Sequence, residues 1–529
     1  MRQIWVTALF AVCFCSCNSF LKEYSQDLAR VKTVGDLEEL LIGSVYYPAV
    51  YITSSDGYTS PVSDENGNYD YSSFNHCVHF MTDELEQNQQ TGRGDFGRFE
   101  ELFGYYTWQR NVGINQKGTK IGKEDDDWQQ AYKYINVANM ILTELEEIDI
   151  YSANEEKSKV RLEGETRFLR ALYYFSLVNL YADPYVPGKA ETTPGIPLKL
   201  TSYIENKAYE RTPVAQIYEQ IIDDLERAAE CLRESEKTGI YRANTNAVNL
   251  LLSRVYLYMQ DYVNARKYAQ LVIDAKPDLK DLKGLEGRDN VLSSDNPEVI
   301  FSMGGDWLTY YIYGTDQTRY QNRYPFYVSD NLIAAYSDDD LRKQIYIQKG
   351  ENDKYYYKKI YWGRDHWGSV CSVSDNYLFR TSEAYLNLAE AAVFGNDESK
   401  AREVLGQLLA KRFTTPPVVS ESGEALIRLI QAERQRELCL EGHRWYDIRR
   451  YTVLPEGKGK WNKTITHVWA QYSVDGYDLE RVRVFELPPD DNAFTLALPK
   501  EVLEFQVSLG YNHREERVPV SEEKVDQEY

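Results

Sequence analysis

Apolar residues recur at three- and four-residue steps through much of the chain, the period of an amphipathic helix. Trp128, Tyr132, Ile135, Ala138 and Leu142 predict a helix over Trp128 to Ile148. Phe168, Ala171, Leu172, Phe175 and Val178 predict a second, from about Lys159 to Tyr181. A third opens at Thr212-Pro213 and carries Ile217, Ile221, Leu225, Ala228 and Leu232. Its start reads as a hydroxyl N-cap followed by proline at the first helical position. Ala247, Leu251, Val255 and Tyr258 begin a fourth helix. After a turn at Gln260-Asp261, a fifth carries Tyr262, Ala265, Ala269 and Val272. Further helices are predicted from about Phe379 to Phe394, Glu398 to Phe413 and Glu424 to Tyr451.

Antiparallel helix pairs at this pitch predict a mainly α fold of tetratricopeptide-like repeats, with Asn244 to Asp274 as the clearest unit. Such repeats bury their apolar faces only by stacking on neighbours, so they are expected to form one cooperative body. The helical parts cover about 128–274 and 379–451. Around them run long irregular regions: Tyr46 to Asp126, Pro184 to Tyr209, Pro277 to Asn376 and Leu454 to Pro499. They are rich in Tyr, Trp, Gly, Asn and Asp. Loops this long are uncommon unless functional, and they are expected to pack on one face of the helices with a few short strands.

The N-terminus suggests the compartment. Met1-Arg2 gives a positive start, and the apolar run Ile4 to Phe14 is too short for the roughly 20 residues of a membrane span. It ends in Phe14-Cys15-Ser16-Cys17, which reads as a bacterial lipobox with Cys17 as the acylated residue. Residues 1–16 are then a signal peptide, and 17–529 are expected to form a single domain. Several acyl chains would anchor the protein stably. The net charge of −22 argues against nucleic acid, which needs clustered Lys and Arg, and against electrostatic docking on an anionic membrane. Cys77, Cys231, Cys371 and Cys439 lie far apart and form no disulfide framework. Cys231 and Cys439 read as small core residues.

Four passages carry a resemblance. They are Cys17-Asn18-Ser19-Phe20-Leu21, Glu163 to Phe175, Arg242 to Thr245 with Leu252 to Tyr262, and Glu433 to Leu438 with Glu441 to Arg450. Together, in this order, they resemble the SusD/RagB family of Bacteroidota surface lipoproteins, from Cys17 to about Tyr511. The resemblance implies tetratricopeptide-like helix pairs cradling a variable loop-rich part. It also implies a non-catalytic glycan-binding lipoprotein of the outer membrane, facing the cell exterior. Such a protein delivers oligosaccharides to a TonB-dependent, SusC-like transporter. The segment Asn18 to Glu23 departs from the family in lacking an acidic run after the lipidated cysteine. Alternatives are a peptide-binding uptake lipoprotein, a surface glycosidase, and a helical-repeat scaffold that binds only protein.

Glycan capture needs aromatic platforms for the C–H faces of sugars and polar groups for their hydroxyls. Tyr and Trp offer flat area with few rotors and a polar tip. The chain has 44 Tyr and 9 Trp against 18 Phe, many in the irregular regions. The first candidate cluster is Asp83, Arg93, Trp108 and Asn111, where glycan-binding relatives carry such a platform. The second is Trp307, Tyr310, Tyr311 and Tyr313 with Arg323 and Tyr324. The third is Tyr355-Tyr356-Tyr357, Tyr361-Trp362 and Trp367, of which Tyr355 to Tyr357 reads as a strand with one buried face and Trp362 and Trp367, beside Gly363 and Gly368, are the better site candidates. Trp128 and Trp445 fall in helical stripes and read as structural. Glu437, Glu441, Arg444, Asp447, Arg449 and Arg450 read as ion pairs around a helix end, where surface pairs contribute little.

No cofactor is implied. Asp64, Asn66, Asn68 and Asp70 alternate oxygen ligands as a calcium loop might, but Tyr69 stands where an EF-hand needs glycine and Asn75 where it needs glutamate. His76, Cys77 and His79 are close enough for zinc, but a packed strand accounts for them better. There is no GxSxG, HExxH or phosphate-binding glycine loop. With 82 acidic residues, no carboxylate pair stands out for glycoside cleavage.

Overall fold

The computed structural model describes residues 33–47, 51–53, 59–61, 77–89, 100–120, 126–203, 205, 207–235, 239–285, 291–304, 308, 312, 325–350, 353–360, 372–473, 478–512 and 514–525. Its frame is helical. The longer helices are α1 (Val34–Ser44), α2 (Asp126–Glu147), α3 (Ala153–Tyr181), α4 (Val214–Leu232) and α5 (Thr245–Tyr258). They continue with α6 (Tyr262–Ala275), α7 (Thr381–Phe394), α8 (Glu398–Leu409), α9 (Gly423–Leu438) and α10 (Arg444–Thr452).

The helices start where side chains can satisfy loose N–H groups. Thr33 and Asp36 form a capping box on α1. Ser152 caps α3, Asn244 caps α5 and Asp261 caps α6. The cap of Ser152 places the start of α3 before the predicted Lys159. At α4 the expected cap is displaced by one residue. Pro213 itself is the N-cap, and the Thr212 hydroxyl instead accepts from the Leu198 N–H at 3.3 Å.

The predicted pairing of helices is present. Neighbours α2 and α3, α3 and α4, and α5 and α6 pack together, and α6 also packs on α7, which carries α8 and α9. The centre is α3, whose residues from Phe168 to Tyr181 are all buried. Helices α3 and α4 approach closely at Gly164. A Cβ there would lie 2.8 Å from Cys231 Cβ and from Leu232 Cγ. Gly164→Val is therefore expected to force the helices apart and to cost about 1–3 kcal/mol by chemical denaturation. A neutral result would show that the contact is slack.

Helix α7 does not start at Phe379. Tyr377–Arg380 is strand β8, paired with β4 (Val299–Met303). The remaining strands are β1 (Tyr51–Thr53), β2 (Thr59–Pro61), β3 (Leu85–Gln87), β5 (Phe326–Val328), β6 (Ile347–Lys349), β7 (Tyr355–Tyr357), β9 (Ile465–Tyr472), β10 (Leu479–Leu487) and β11 (Ser521–Lys524). β3-β5-β7-β6 form one sheet and β11-β10-β9 another. The run Tyr355 to Tyr357 is a strand, as expected, but both of its faces are covered and not one, since the adjacent Tyr356 and Tyr357 are both buried. The region after Leu454 holds more order than expected, since β9 and β10 pair antiparallel from Leu487–Ile465 to Leu479–Tyr472. Cys77–Phe80 is a helical turn and not a strand, and all four of its side chains are buried.

The predicted helix from Glu424 to Tyr451 is broken between α9 and α10. Leu440 (φ 59°) and Gly442 (φ 76°) take the left-handed region there. That break admits a cluster of charge. Arg380 lies in it and is 1% exposed; it donates to Glu437 at 2.7 Å, Glu298 at 2.8 Å and Glu441 at 2.7 Å. Arg412 reaches Glu298 and Glu437, both at 2.8 Å. Arg342 reaches Asp340 at 2.7 Å and Glu437 at 3.0 Å, and Lys359 donates to Glu441. Burial pushes the Glu437 carboxyl up, but the surrounding arginines outweigh this and hold it well below the usual carboxylate range. The late-chain charges are thus interior, and not the surface pairs expected from sequence. Nearby, Arg450 binds Asp447 at 2.8 Å and Glu390, while Arg434 binds Asp447 at 3.2 Å. Trp128, Trp445, Cys231 and Cys439 are buried, as expected.

Candidate functional site

Of the predicted ligand-binding residues, Asp83, Trp108 and Asn111 fall in described segments. Arg93, Trp307, Tyr310, Tyr311, Arg323, Trp362 and Trp367 lie outside them, as do Cys17 and the calcium candidates Asp64, Asn66, Asn68 and Asp70.

Two of the three described members of the first cluster, Trp108 and Asp83, are committed to the fold, which corrects the expectation for them. Trp108 is 0% exposed, and its indole N–H donates to the Met81 carbonyl at 3.0 Å. Its ring stacks on His467 at 4.3 Å, and Tyr106 stacks on the other face of that imidazole at 4.0 Å. A ring enclosed in this way presents no face to a sugar. Its φ of 51° is left-handed, a strained choice for a bulky residue that the surrounding packing has to hold. The His467 nitrogens lie 2.6 Å from the Tyr106 carbonyl and 2.7 Å from that of Thr82. Burial pushes the imidazole down to about 4.

Asp83 is also committed to the fold. Arg444 donates to both of its oxygens at 2.7 Å, and Asn331 donates to one at 3.0 Å. Burial pushes its carboxyl up, but the Arg444 charge and hydrogen bonds win and hold it below the ordinary value. Asn111 is half-buried and closes a turn by accepting from the Gly113 N–H at 2.9 Å. Among the described residues, no group of His, Cys, Asp and Glu is placed to hold a metal ion. Cys77 donates to Asp127 at 3.1 Å, and His79 pairs with Asn376 at 2.6 Å.

Next to Asp83, Glu84 is buried, accepts from the Leu440 N–H at 3.1 Å, and has its other oxygen unpartnered among the described residues. Burial pushes this carboxyl from 4.5 up to about 8, against the pull of Arg444. The folded chain holds a proton there that the unfolded chain releases above pH 4.5. Stability contributed by this group is therefore complete below 4.5 and declines as the pH rises towards 8, by at most about 1.4 kcal/mol per pH unit. Glu84→Gln is expected to remove that decline. The buried His443 and His467, both held at about 4, add stability over part of the same range, so the test is the difference between variant and parent. The variant should gain on the parent from about pH 5 to pH 8 in urea midpoints, and a constant difference would contradict the assignment.

A cleft of about 580 Å³ opens where α3 and α10 end. One wall is the loop after α3, with Asp183, Pro184, Val186 and Lys189. A second is the segment after α10, ending in Trp461 and Asn462, and a third is the stretch from Pro489 to Thr495. Arg449, 1% exposed, fastens two walls from behind by donating to the carbonyls of Asn179, Ala182 and Phe494. A cation on the last carbonyls of α3 also suits the helix dipole. Thr495 donates to Asp183 at 2.8 Å, and Trp461 donates its backbone N–H to Tyr451 at 2.9 Å. Of the expected ligand-binding residues that are described, Asp83, Trp108 and Asn111, none lines this cleft. The adjacent Trp461-Asn462 and the run Asp490-Asp491-Asn492 were the local signals available for it.

Two family models match successive parts of the chain. One, described as starch-binding and associating with the outer membrane, covers residues 73–257, and the SusD family model covers 297–525. The chain belongs to the SusD/RagB family. It is 30% identical to SusD-like protein P2 of Formosa agariphila over 175 residues, about a third of that protein's length (32% of each chain). It is 22% identical to SusD-like protein P38 of the same organism, over 67% of this chain and 78% of that one. Among solved structures, a SusD superfamily protein from Bacteroides thetaiotaomicron superposes with a TM-score of 0.63 at 21% identity, covering 91% of this chain and 100% of that one. A SusD-like carbohydrate binding protein from Bacteroides vulgatus gives 0.65 at 19% identity, covering 92% and 99%. At these identities the structural likeness shows the shared fold.

Proposed function

We propose that this protein is a non-catalytic glycan-binding lipoprotein of nutrient uptake, anchored in the outer membrane through Cys17 and exposed to the cell exterior. It captures oligosaccharides and passes them to a TonB-dependent, SusC-like transporter. The observation that carries this reading is the succession of family matches over 73–257 and 297–525, the first to a model described as starch-binding. The carbohydrate-binding description of the Bacteroides vulgatus relative supports the ligand class. Among the described residues, no helix is long and apolar enough to cross a membrane, which agrees with a covalent anchor.

With Trp108 buried, the platform falls to the aromatic-rich stretches of sequence that contain Trp307, Tyr310, Tyr311, Trp362 and Trp367, with Arg93 and Arg323 as partners for hydroxyls. Release into a channel asks only for micromolar to millimolar affinity, on the order of 4–8 kcal/mol. A glycan array probed with the parent, Trp307→Ala and Trp362→Ala tests the reading. The parent should retain a defined glycan class, and each variant should lose signal. An array on which all three proteins behave alike would overturn the placement of the platform.

A further inference from the structure

The cleft at the ends of α3 and α10 is separate in sequence from the aromatic-rich stretches, and its chemistry is that of a ligand site. We propose that it is a second saccharide site, which seats the end of a neutral oligosaccharide two or three sugars long. The choice of ligand class rests on the glycan reading above.

Size is the first argument. A volume of about 580 Å³ falls within the few hundred to one thousand Å³ typical of small-molecule sites. Lining is the second. Pro184, Val186, Trp461 and Phe494 supply apolar wall, and Asn462, Asp490 and Asn492 supply acceptors and donors beside it. This pairing of apolar surface with convergent polar groups suits a sugar ring, which has C–H faces and hydroxyl edges.

The third argument is an unmet donor. Trp461 is 7% exposed, and its indole N–H has no partner among the described residues. A buried donor left unpaired is costly, and few are tolerated without a reason. Trp461 lines the cleft, and a small shift of its ring on binding would bring this N–H to a ligand hydroxyl.

Charge narrows the ligand further. Asp183, Glu456, Asp490 and Asp491 stand against Lys189 and Lys460 in the lining. Lys460 is already paired with Glu456 at 2.8 Å, and Asp491 with Arg517 at 2.7 Å. The excess of carboxylate disfavours phosphate and acidic sugars. It leaves Asp490, exposed and without an ion-pair partner among the described residues, to accept from hydroxyls. The walls are also set in advance. Arg449 ties the end of α3 to Phe494 and Thr495, so little ordering is needed on binding. Two sites on one body would let a long glycan engage both and gain avidity.

Trp461→Phe keeps an aromatic ring under Arg444, which stacks on it at 5.1 Å, and removes only the N–H. Asp490→Ala changes an exposed side chain and leaves the fold alone. Each variant, in the full chain, is titrated by calorimetry with maltotriose, cellotriose and xylotriose, and its melting temperature is recorded. The parent should bind at least one trisaccharide at two sites. Each variant should weaken one site about 3–10-fold, spare the other, and melt with the parent. One site that neither variant alters would overturn the cleft proposal and leave the glycan reading standing. A parent that binds none of the three, while retaining longer glycans on an array, would overturn it equally. A parent that binds no saccharide in either format would end both.

Discussion

Arg380→Met should destabilise the protein by about 3–5 kcal/mol in urea unfolding, and Glu437→Gln by a similar amount. Both residues are almost wholly buried, and each is bonded to several charged partners drawn from distant parts of the chain. Removing Arg380 leaves Glu298, Glu437 and Glu441 short of a counter-charge in a place water does not reach. The cost is that of stranding those carboxylates, and it exceeds what the intact pairs contribute over an apolar core. The double variant should therefore lose less than the sum of the two single losses, because each single change already strands the other partner. A loss under about 1 kcal/mol, the range of exposed pairs, would mean that water reaches the cluster in solution.

Trp108→Ala should cost a further large amount, about 3–5 kcal/mol, through the cavity it opens. The indole fills space beside His467 and satisfies the Met81 carbonyl, so both the stack and a buried hydrogen bond go with it. A residue in a binding platform behaves otherwise: its loss weakens ligand binding and leaves the melting temperature in place. Measuring both quantities on this variant decides between the two roles. A drop in melting temperature of several degrees is expected. An unchanged melting temperature with lost glycan binding would restore Trp108 to the site.

These two cases mark where the sequence stops being legible. The helix pairs could be read because their signal is local: apolar steps and the two-residue turn at Gln260-Asp261 all lie within one short segment. Whether Glu437 is solvated or buried is decided by Arg342, Arg380 and Arg412, none of which is near it in sequence. Charged residues are mostly exposed, so a local reading assigns the cluster to the surface. The break at Leu440 to Gly442 hides for a related reason. Apolar steps continue across it from Leu438 to Trp445 and Ile448, and only the backbone angles of Leu440 and Gly442 show the interruption. Strand β10 was readable and missed: Arg481-Val482-Arg483-Val484 alternates with period two, but it sits in a region rich in turn residues.

The candidate site was legible in kind and not in place. Tyr and Trp in long loops point to sugar chemistry, but composition alone does not separate Trp108, stacked on His467 and bonded to the Met81 carbonyl, from a ring that faces solvent. The cleft is assembled from three segments around 183–193, 452–462 and 489–495, and no single segment predicts it.

Calorimetric titration of the chain with neutral oligosaccharides, followed by sizing of the recovered ligand, addresses capture without cleavage most directly. Saturable binding in the micromolar to millimolar range, with every ligand recovered at its original length, is the expected result. Shortened products, or no heat with any glycan alongside saturable binding of peptides, would contradict it.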